Sequence, residues 1–180
     1  MMIEFALTEN DYLHYQLYTA SLSKRIIAKR KKSKFIVPLI YLLLGVFPLI
    51  NSDFIFASGF FFFAVLWFFI YPLWESRYYY KHYQNFIKEN YSNQTEQKAT
   101  LEFNGTTLLS KGNLGESKIN LTKILDIVEL RDLFILRLDT ARGIIIPKSA
   151  TNTEQMRSQL KEISKQLNKN YKDETQWEWK

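Results

Sequence analysis

The sequence contains no cysteine and only two histidines, His14 and His82. Disulfide bonds, thiol catalysis and thiolate metal sites are therefore excluded, and a zinc site built from histidines is not expected. No local pattern sets a nucleophile beside a base, pairs two carboxylates in a cleft or forms a glycine-rich phosphate loop. We therefore predict that the chain is not an enzyme and that it binds no metal and no cofactor.

Charged side chains are missing from two stretches of the chain. Residues 54–74 hold none in 21 positions, and at about 1.5 Å per helical residue such a helix measures about 31 Å, the thickness of a hydrocarbon core. Residues 35–50 form a second uncharged run, and only Asn51, Ser52 and Asp53 separate the two. We predict a transmembrane hairpin, with helices at 35–50 and 54–74, whose ends lie on one side of the membrane.

Basic residues are concentrated before the first of these runs. The net charge is only +6, so we predict no binding to nucleic acid. The flank at residues 24–34 holds seven cations and no acid, whereas the loop between the two helices has no cation. The seven are Lys24, Arg25, Lys29, Arg30, Lys31, Lys32 and Lys34. The positive-inside rule then predicts that both termini are cytoplasmic. These cations could also contact anionic lipid headgroups, and the sequence leaves both interpretations open.

The segment 1–34 combines a strand at residues 3–7 with a helix. Thr8 and Asp11 have the spacing of a capping box, so a helix should begin there. The residues that follow at intervals of three and four predict one apolar stripe: Tyr12, Tyr15, Thr19, Leu22 and Ile26. We expect this amphipathic helix either to lie in the membrane interface or to pack on the C-terminal domain.

The chain after the hairpin changes from a helical to a strand pattern. Residues 75–94 lack glycine and proline and should extend the second membrane helix. Alternation and turn residues then predict six strands, at 99–103, 106–111, 116–121, 124–130, 133–138 and 143–147, with turns at Asn104-Gly105, 112–115, Arg131-Asp132 and 139–142. We expect an antiparallel sheet.

A closing helix should cover that sheet. Thr151 and Glu154 resemble a second capping box, and a stripe follows it: Met156, Leu160, Ile163 and Leu167. The β domain would thus span residues 95–170, followed by a polar tail at 171–180. We expect its acidic side chains to be solvated, among them Asp126 and Glu129. Lys148 and Arg142 could form a second basic patch or an ordinary exposed strand end.

The run from Gly143 to Lys148 before a terminal helix, together with the order of elements, resembles the YcxB-like proteins, a bacterial membrane family. Ile146, Pro147 and Lys148 match the aliphatic-Pro-Lys element of that family. The resemblance implies a transmembrane hairpin in the bacterial cytoplasmic membrane and a cytoplasmic domain with a pleckstrin-homology-like fold, a curved sheet capped by a helix. It implies no activity.

We therefore expect an α+β membrane protein that acts as a membrane-tethered, non-enzymatic interaction or scaffold module. Its partners would be the lipid bilayer and a protein or peptide bound at a sheet edge or groove of the β domain. Two alternatives stay open. The chain could be an accessory subunit of a membrane enzyme or transporter, or it could be a module that binds anionic lipids.

Overall fold

The computed structural model describes residues 2–92, 95, 97–112, 115–140 and 142–180. The predicted turns at 112–115 and 139–142, and the end of the predicted segment 75–94, fall partly outside these residues. The chain divides into two compact units. The helical unit comprises Gln16–Asn85 with Trp179–Lys180, and the β unit comprises the N-terminal residues through Tyr15 with Phe86–Glu178.

Two long helices dominate the helical unit. Helix α2 covers Lys24–Ile50 and helix α3 covers Phe54–Tyr91, and both are long and apolar enough to cross a membrane. Only 11% and 17% of their most apolar windows are buried, whereas a core helix of a soluble protein is mostly buried. This composition suggests membrane association. The bounds of α2 and α3 confirm the predicted layout of two apolar helices joined by a three-residue loop.

Helix α2 begins eleven residues earlier than the predicted boundary at residue 35. The hydroxyl of Ser23 accepts a hydrogen bond from the backbone N–H of Ile26 and caps its start. The basic run therefore forms the first turns of the same helix that continues as the apolar run. At Gly45, an added Cβ would lie 3.2 Å from the Cβ of Phe60, so the glycine allows α2 and α3 to approach closely there.

The N-terminal segment forms strand β1, Met2–Ala6, and helix α1, Glu9–Leu22. Its predicted capping box is confirmed, because the Thr8 hydroxyl accepts from the Asp11 backbone N–H at 3.2 Å and the Asp11 carboxylate accepts from the Thr8 N–H at 2.8 Å. The predicted stripe is wrong, since the helix breaks at Ser23 and a different set is buried: Leu13, Leu17, Tyr18 and Ala20.

The β unit contains two four-stranded sheets. Its remaining elements are β2 Lys98–Asn104, β3 Thr107–Gly112, β4 Gly115–Asn120, β5 Ile124–Glu129, β6 Leu133–Leu138, β7 Gly143–Pro147, α4 Thr153–Gln166 and β8 Asn170–Asp173. Sheet A has the order β1-β2-β3-β4, and sheet B has the order β7-β6-β5-β8. All described pairs are antiparallel except β5 with β8, which is parallel.

Strand β8 corrects two predictions. The predicted β domain ends at residue 170 and the predicted polar tail begins at 171. Residues 170–173 instead form a strand beside β5. The sheet is consequently not purely antiparallel. Strand β1 also joins the domain through β2, with Ile3 opposite Leu101 and Phe5 opposite Ala99, so the β unit is built from both ends of the described chain.

Both sheets and α4 share one hydrophobic core. Ile3, Leu101 and Leu108 enter it from sheet A, and Ile127 and Phe134 enter it from sheet B. The predicted stripe of α4 is confirmed by its buried residues Met156, Leu160 and Ile163. Its predicted capping box is wrong, because Asn152 is the N-cap and its Oδ1 accepts from the Gln155 backbone N–H at 3.2 Å. The layout is α+β, and the pleckstrin-homology-like assignment stays a prediction.

Candidate functional site

Glu129, at the end of β5, lies at the centre of a buried polar cluster in the β unit. Its side chain is only 1% exposed. Lys148 Nζ lies 2.6 Å from Oε1, and Arg157 Nε lies 3.0 Å from both carboxylate oxygens. The Tyr171 hydroxyl donates a hydrogen bond to Oε2 of Glu129. The carboxylate thereby connects β5 with the turn after β7, with α4 and with β8.

The electrostatics of this cluster favour the ionised carboxylate. Burial raises the pKa of Glu129, but hydrogen bonds from Arg157, Lys148 and Tyr171 outweigh it and lower that pKa to about 2 from 4.5. Burial and the nearby carboxylate raise the pKa of the Tyr171 hydroxyl. A carboxylate with so low a pKa is a poor general acid or base near neutral pH. The cluster is suited to holding four elements together.

A second buried carboxylate, Asp126, lies earlier on the same strand. Its side chain is 7% exposed and is paired with Arg137 of β6 and with Lys172 of β8, whose Nζ lies 2.7 Å from Oδ2. Burial raises the pKa of Asp126, and the two cations lower it below the ordinary value. The prediction that Asp126 and Glu129 lie on a solvated face is wrong. An acid inside an apolar strand such as ILDIVE is a signal of a paired, buried charge.

The family motif lies in the core and beside Glu129. Ile146 is fully buried, Pro147 ends β7 and is buried, and the Lys148 side chain is 12% exposed and bound to Glu129. The suggestion of a basic patch at Lys148 is therefore corrected, because the pairing neutralises this charge. The Lys148 ammonium also lies 5.0 Å from the centre of the Phe134 ring, a cation–π contact.

The seven cations of α2 are not equivalent. Lys24, Arg25, Lys29, Lys31 and Lys32 are exposed, and Lys34 is half-buried. Arg30 is also half-buried, and its Nε lies 3.0 Å from the carboxylate of Glu75 on α3, which itself is only 5% exposed. Arg30 further donates to the Lys180 carbonyl oxygen at 2.6 Å and stacks on Trp179. Arg30 is thus a structural residue of the helical unit.

An open groove lies on the inner face of sheet A, the face that carries Leu101 and Leu108. At one end of this face the side chains are small instead of bulky, which leaves a cavity of about 340 Å³. Its floor is formed by small residues of β2, β3 and β4: Ala99, Ser110, Gly112, Gly115 and Ser117. Leu7 and Tyr12 line it as well. The groove could receive one side chain of a bound segment.

Strand β4 is the edge of sheet A next to this groove. It pairs with β3, and its residues are all exposed except Ile119, which is half-buried. The Leu121 N–H donates to the Thr106 carbonyl oxygen at 2.9 Å. The amide of Leu121 therefore points toward β3. Because amide directions alternate along an antiparallel strand, the amides of Ser117 and Ile119 also point toward β3. Those of Glu116, Lys118 and Asn120 point away from the sheet.

Fold and sites together define an α+β protein with two helices apolar enough to span a membrane. Residues 103–164 match the model of the family described as YcxB-like protein, so the chain contains a YcxB-like region. This region includes Asp126, Glu129 and Lys148, but it ends before β8. Comparison with curated proteins and with solved structures gives no match. Within the described residues, no group of three or more metal-ligating side chains could hold a metal ion.

Proposed function

We propose that the chain is a membrane-tethered, non-enzymatic interaction module whose β unit binds an extended segment of a partner protein at β4. The observation that carries this proposal is the open edge of β4 beside a groove of about 340 Å³. An extended segment that pairs with an exposed edge gains main-chain hydrogen bonds, and a neighbouring pocket supplies side-chain specificity.

The backbone of β4 is suited to such pairing. Among the described residues β4 has no strand on its outer side, so the outward amides of Glu116, Lys118 and Asn120 offer donors along one edge. The side chains of Glu116 and Lys118 are charged and exposed, and charged side chains on an edge strand limit non-specific pairing between copies of a protein. Specific recognition would then depend on the groove. Its small floor residues accept an apolar side chain of modest size.

The helical unit would serve as the anchor. The basic start of α2 and the absence of cations in the loop 51–53 support an orientation with both termini in the cytoplasm. The β unit would then face cytoplasmic partners. A binding role rather than catalysis is supported by the pairing of the buried carboxylates Asp126 and Glu129 with cations and by the low pKa of Glu129.

Copurification of the full chain from mild detergent tests this proposal with two variants of one residue. Lys118→Pro removes an outward amide of β4 without removing a bond to β3, while Lys118→Ala removes only the side chain. We expect the wild type and Lys118→Ala to retain a protein at stoichiometric amount and Lys118→Pro to lose it. Recovery of the wild type without such a protein, or its retention by Lys118→Pro, would overturn the proposal.

A further inference from the structure

A pocket in the helical unit lies where the charged part of α2 meets its apolar part. The pocket has a volume of about 340 Å³ and is lined on α2 by Ile27, Arg30, Lys31, Lys34 and Phe35. From α3 it is lined by residues that include Pro72 and Glu75. Its volume lies in the range of small-molecule sites, about 300 to 1,000 Å³. Cations and apolar side chains therefore line one concave surface.

The charges of this pocket leave an excess of positive charge. Arg30 and Glu75 neutralise each other at 3.0 Å, and the Glu75 carboxylate also accepts a hydrogen bond from the Tyr71 hydroxyl at 3.0 Å. Within the part of the chain that the structure describes, neither Lys31 nor Lys34 forms an ion pair. Two ammonium groups thus remain available at a site whose third cation is held in place by its carboxylate.

The helical spacing separates these two lysines from other members of the basic run. With about 3.6 residues per turn, Ile27, Lys31 and Lys34 share the face of α2 that lines the pocket. Arg25, Lys29 and Lys32 lie on the opposite face, and all three are exposed. A signal that sets membrane topology depends on how many cations flank the helix and not on which face of the helix they occupy. The pocket adds a defined position for two of them.

We infer that this pocket binds one anionic phospholipid, with its phosphate between Lys31 and Lys34 and its glycerol and upper acyl chain along Phe35 and Pro72. An anionic headgroup satisfies the two unpaired cations, and an acyl chain covers apolar side chains that are exposed at the boundary of the uncharged run. Phe35, the first residue of that run, is 52% exposed. The inference is independent of partner binding at β4.

The test uses the full chain, delipidated in maltoside detergent and offered equal amounts of phosphatidylglycerol and phosphatidylcholine, with bound lipid counted by native mass spectrometry. Two double variants carry the same loss of charge from the same helix. Lys31→Gln with Lys34→Gln alters the pocket, and Lys29→Gln with Lys32→Gln alters the opposite face. We expect the wild type to prefer phosphatidylglycerol by about tenfold, the first variant to lose that preference and the second to stay within about twofold.

Two results would overturn the inference. An equal loss in both double variants would show that total charge, not the pocket, attracts the lipid, and equal binding of the two lipids by the wild type would exclude headgroup recognition. Excess glycerol phosphate separates a lipid from a free phosphate ligand. We expect bound phosphatidylglycerol to resist it, because the acyl chain contributes to binding. Full displacement would assign the site to a soluble phosphate and contradict the lipid assignment.

Discussion

Lys148 and Glu129 form an ion pair inside the β unit, with 2.6 Å between Nζ and Oε1 and side chains that are 12% and 1% exposed. Lys148 is the last residue of the short motif at the end of β7, and Glu129 ends β5. Arg157 binds the same carboxylate from α4. The motif lysine therefore has a structural partner, which explains why it does not form a basic surface. The contacts of this pair lead to the first prediction.

Glu129→Gln should lower the free energy of unfolding of the β unit by about 3 to 5 kcal/mol, since it leaves two partly buried cations without their carboxylate. Thermal and urea unfolding of the full chain in detergent, followed by near-ultraviolet circular dichroism, measures this. Glu154→Gln is the matched control, because Glu154 binds the same Arg157 but its side chain is 80% exposed. Its cost should stay below about 1 kcal/mol. Equal effects of the two variants would contradict the buried role of Glu129.

The stability of the β unit should fall in acid. The pKa of Glu129 is lower in the folded protein, at about 2, than its ordinary value of 4.5. Its contribution, roughly 3 kcal/mol, is therefore fully present above pH 4.5 and is lost as the pH falls through about 2. Between pH 6 and pH 2.5 the wild type should lose about 2 kcal/mol more than Glu129→Gln does. Parallel pH profiles for the two proteins would disprove this linkage.

Removal of a core side chain from β1 should destabilise a domain that lies almost entirely at the other end of the sequence. Phe5→Ala should cost about 3 to 5 kcal/mol, because Phe5 is buried in the shared core. Met2→Ala on the same strand should cost less than about 0.5 kcal/mol, since Met2 is 70% exposed. Denaturant unfolding of both variants gives the comparison. A similar cost for both would mean that β1 does not contribute to the core.

Gly143, at the start of β7, lies against Tyr15 of α1. A Cβ added there would lie 2.8 Å from Tyr15 Cε2, so Gly143→Ala should cost about 1 to 3 kcal/mol. The same substitution in a Tyr15→Ala background should cost at least about 0.5 kcal/mol less, because the clash is gone. A double-mutant cycle by thermal unfolding measures this coupling. Additive costs would show that the two residues do not constrain each other.

Filling the groove of sheet A should abolish the proposed binding of a partner without unfolding the domain. Ser117→Phe places a ring in the groove, whereas Lys118→Phe places the same ring on the outer face of β4. We expect copurification of the partner to fail for Ser117→Phe alone, with thermal unfolding unchanged in both. Retention of the partner by Ser117→Phe would show that the groove is not part of the binding surface.

Local patterns predicted the elements that depend on local interactions. The alternation of β2 and β3 around Asn104-Gly105 predicted their hairpin, and Gly105 has the positive φ of 59° that such a turn requires. Strands β6 and β7 have the predicted bounds, and α3 continues to Tyr91, inside the predicted helical extension at 75–94. Each of these signals is contained in a few neighbouring residues.

The features that sequence patterns missed depend on distant partners. Strand β8 has the sequence NYKD, with no apolar alternation, and its side chains Tyr171 and Lys172 bind carboxylates 42 and 46 residues away. In the same way, no pattern distinguished Arg30 from the other cations of the basic run, because its partner Glu75 lies on another helix. The start of α2 was missed because hydropathy marks where charge ends, whereas helix propensity continues through lysine and arginine.

The pairing of β1 with β2 determines when sheet A can form during synthesis of the chain. Ala6 pairs with Lys98, so strand β1 has no partner until both apolar helices have been made. Sheet A therefore closes only after both apolar helices have left the ribosome. A soluble fragment that starts after α3 would lack Ile3 and Phe5 and would present the edge of β2 to neighbouring molecules, which favours aggregation. Completion of the β unit thus depends on the prior synthesis of the two apolar helices.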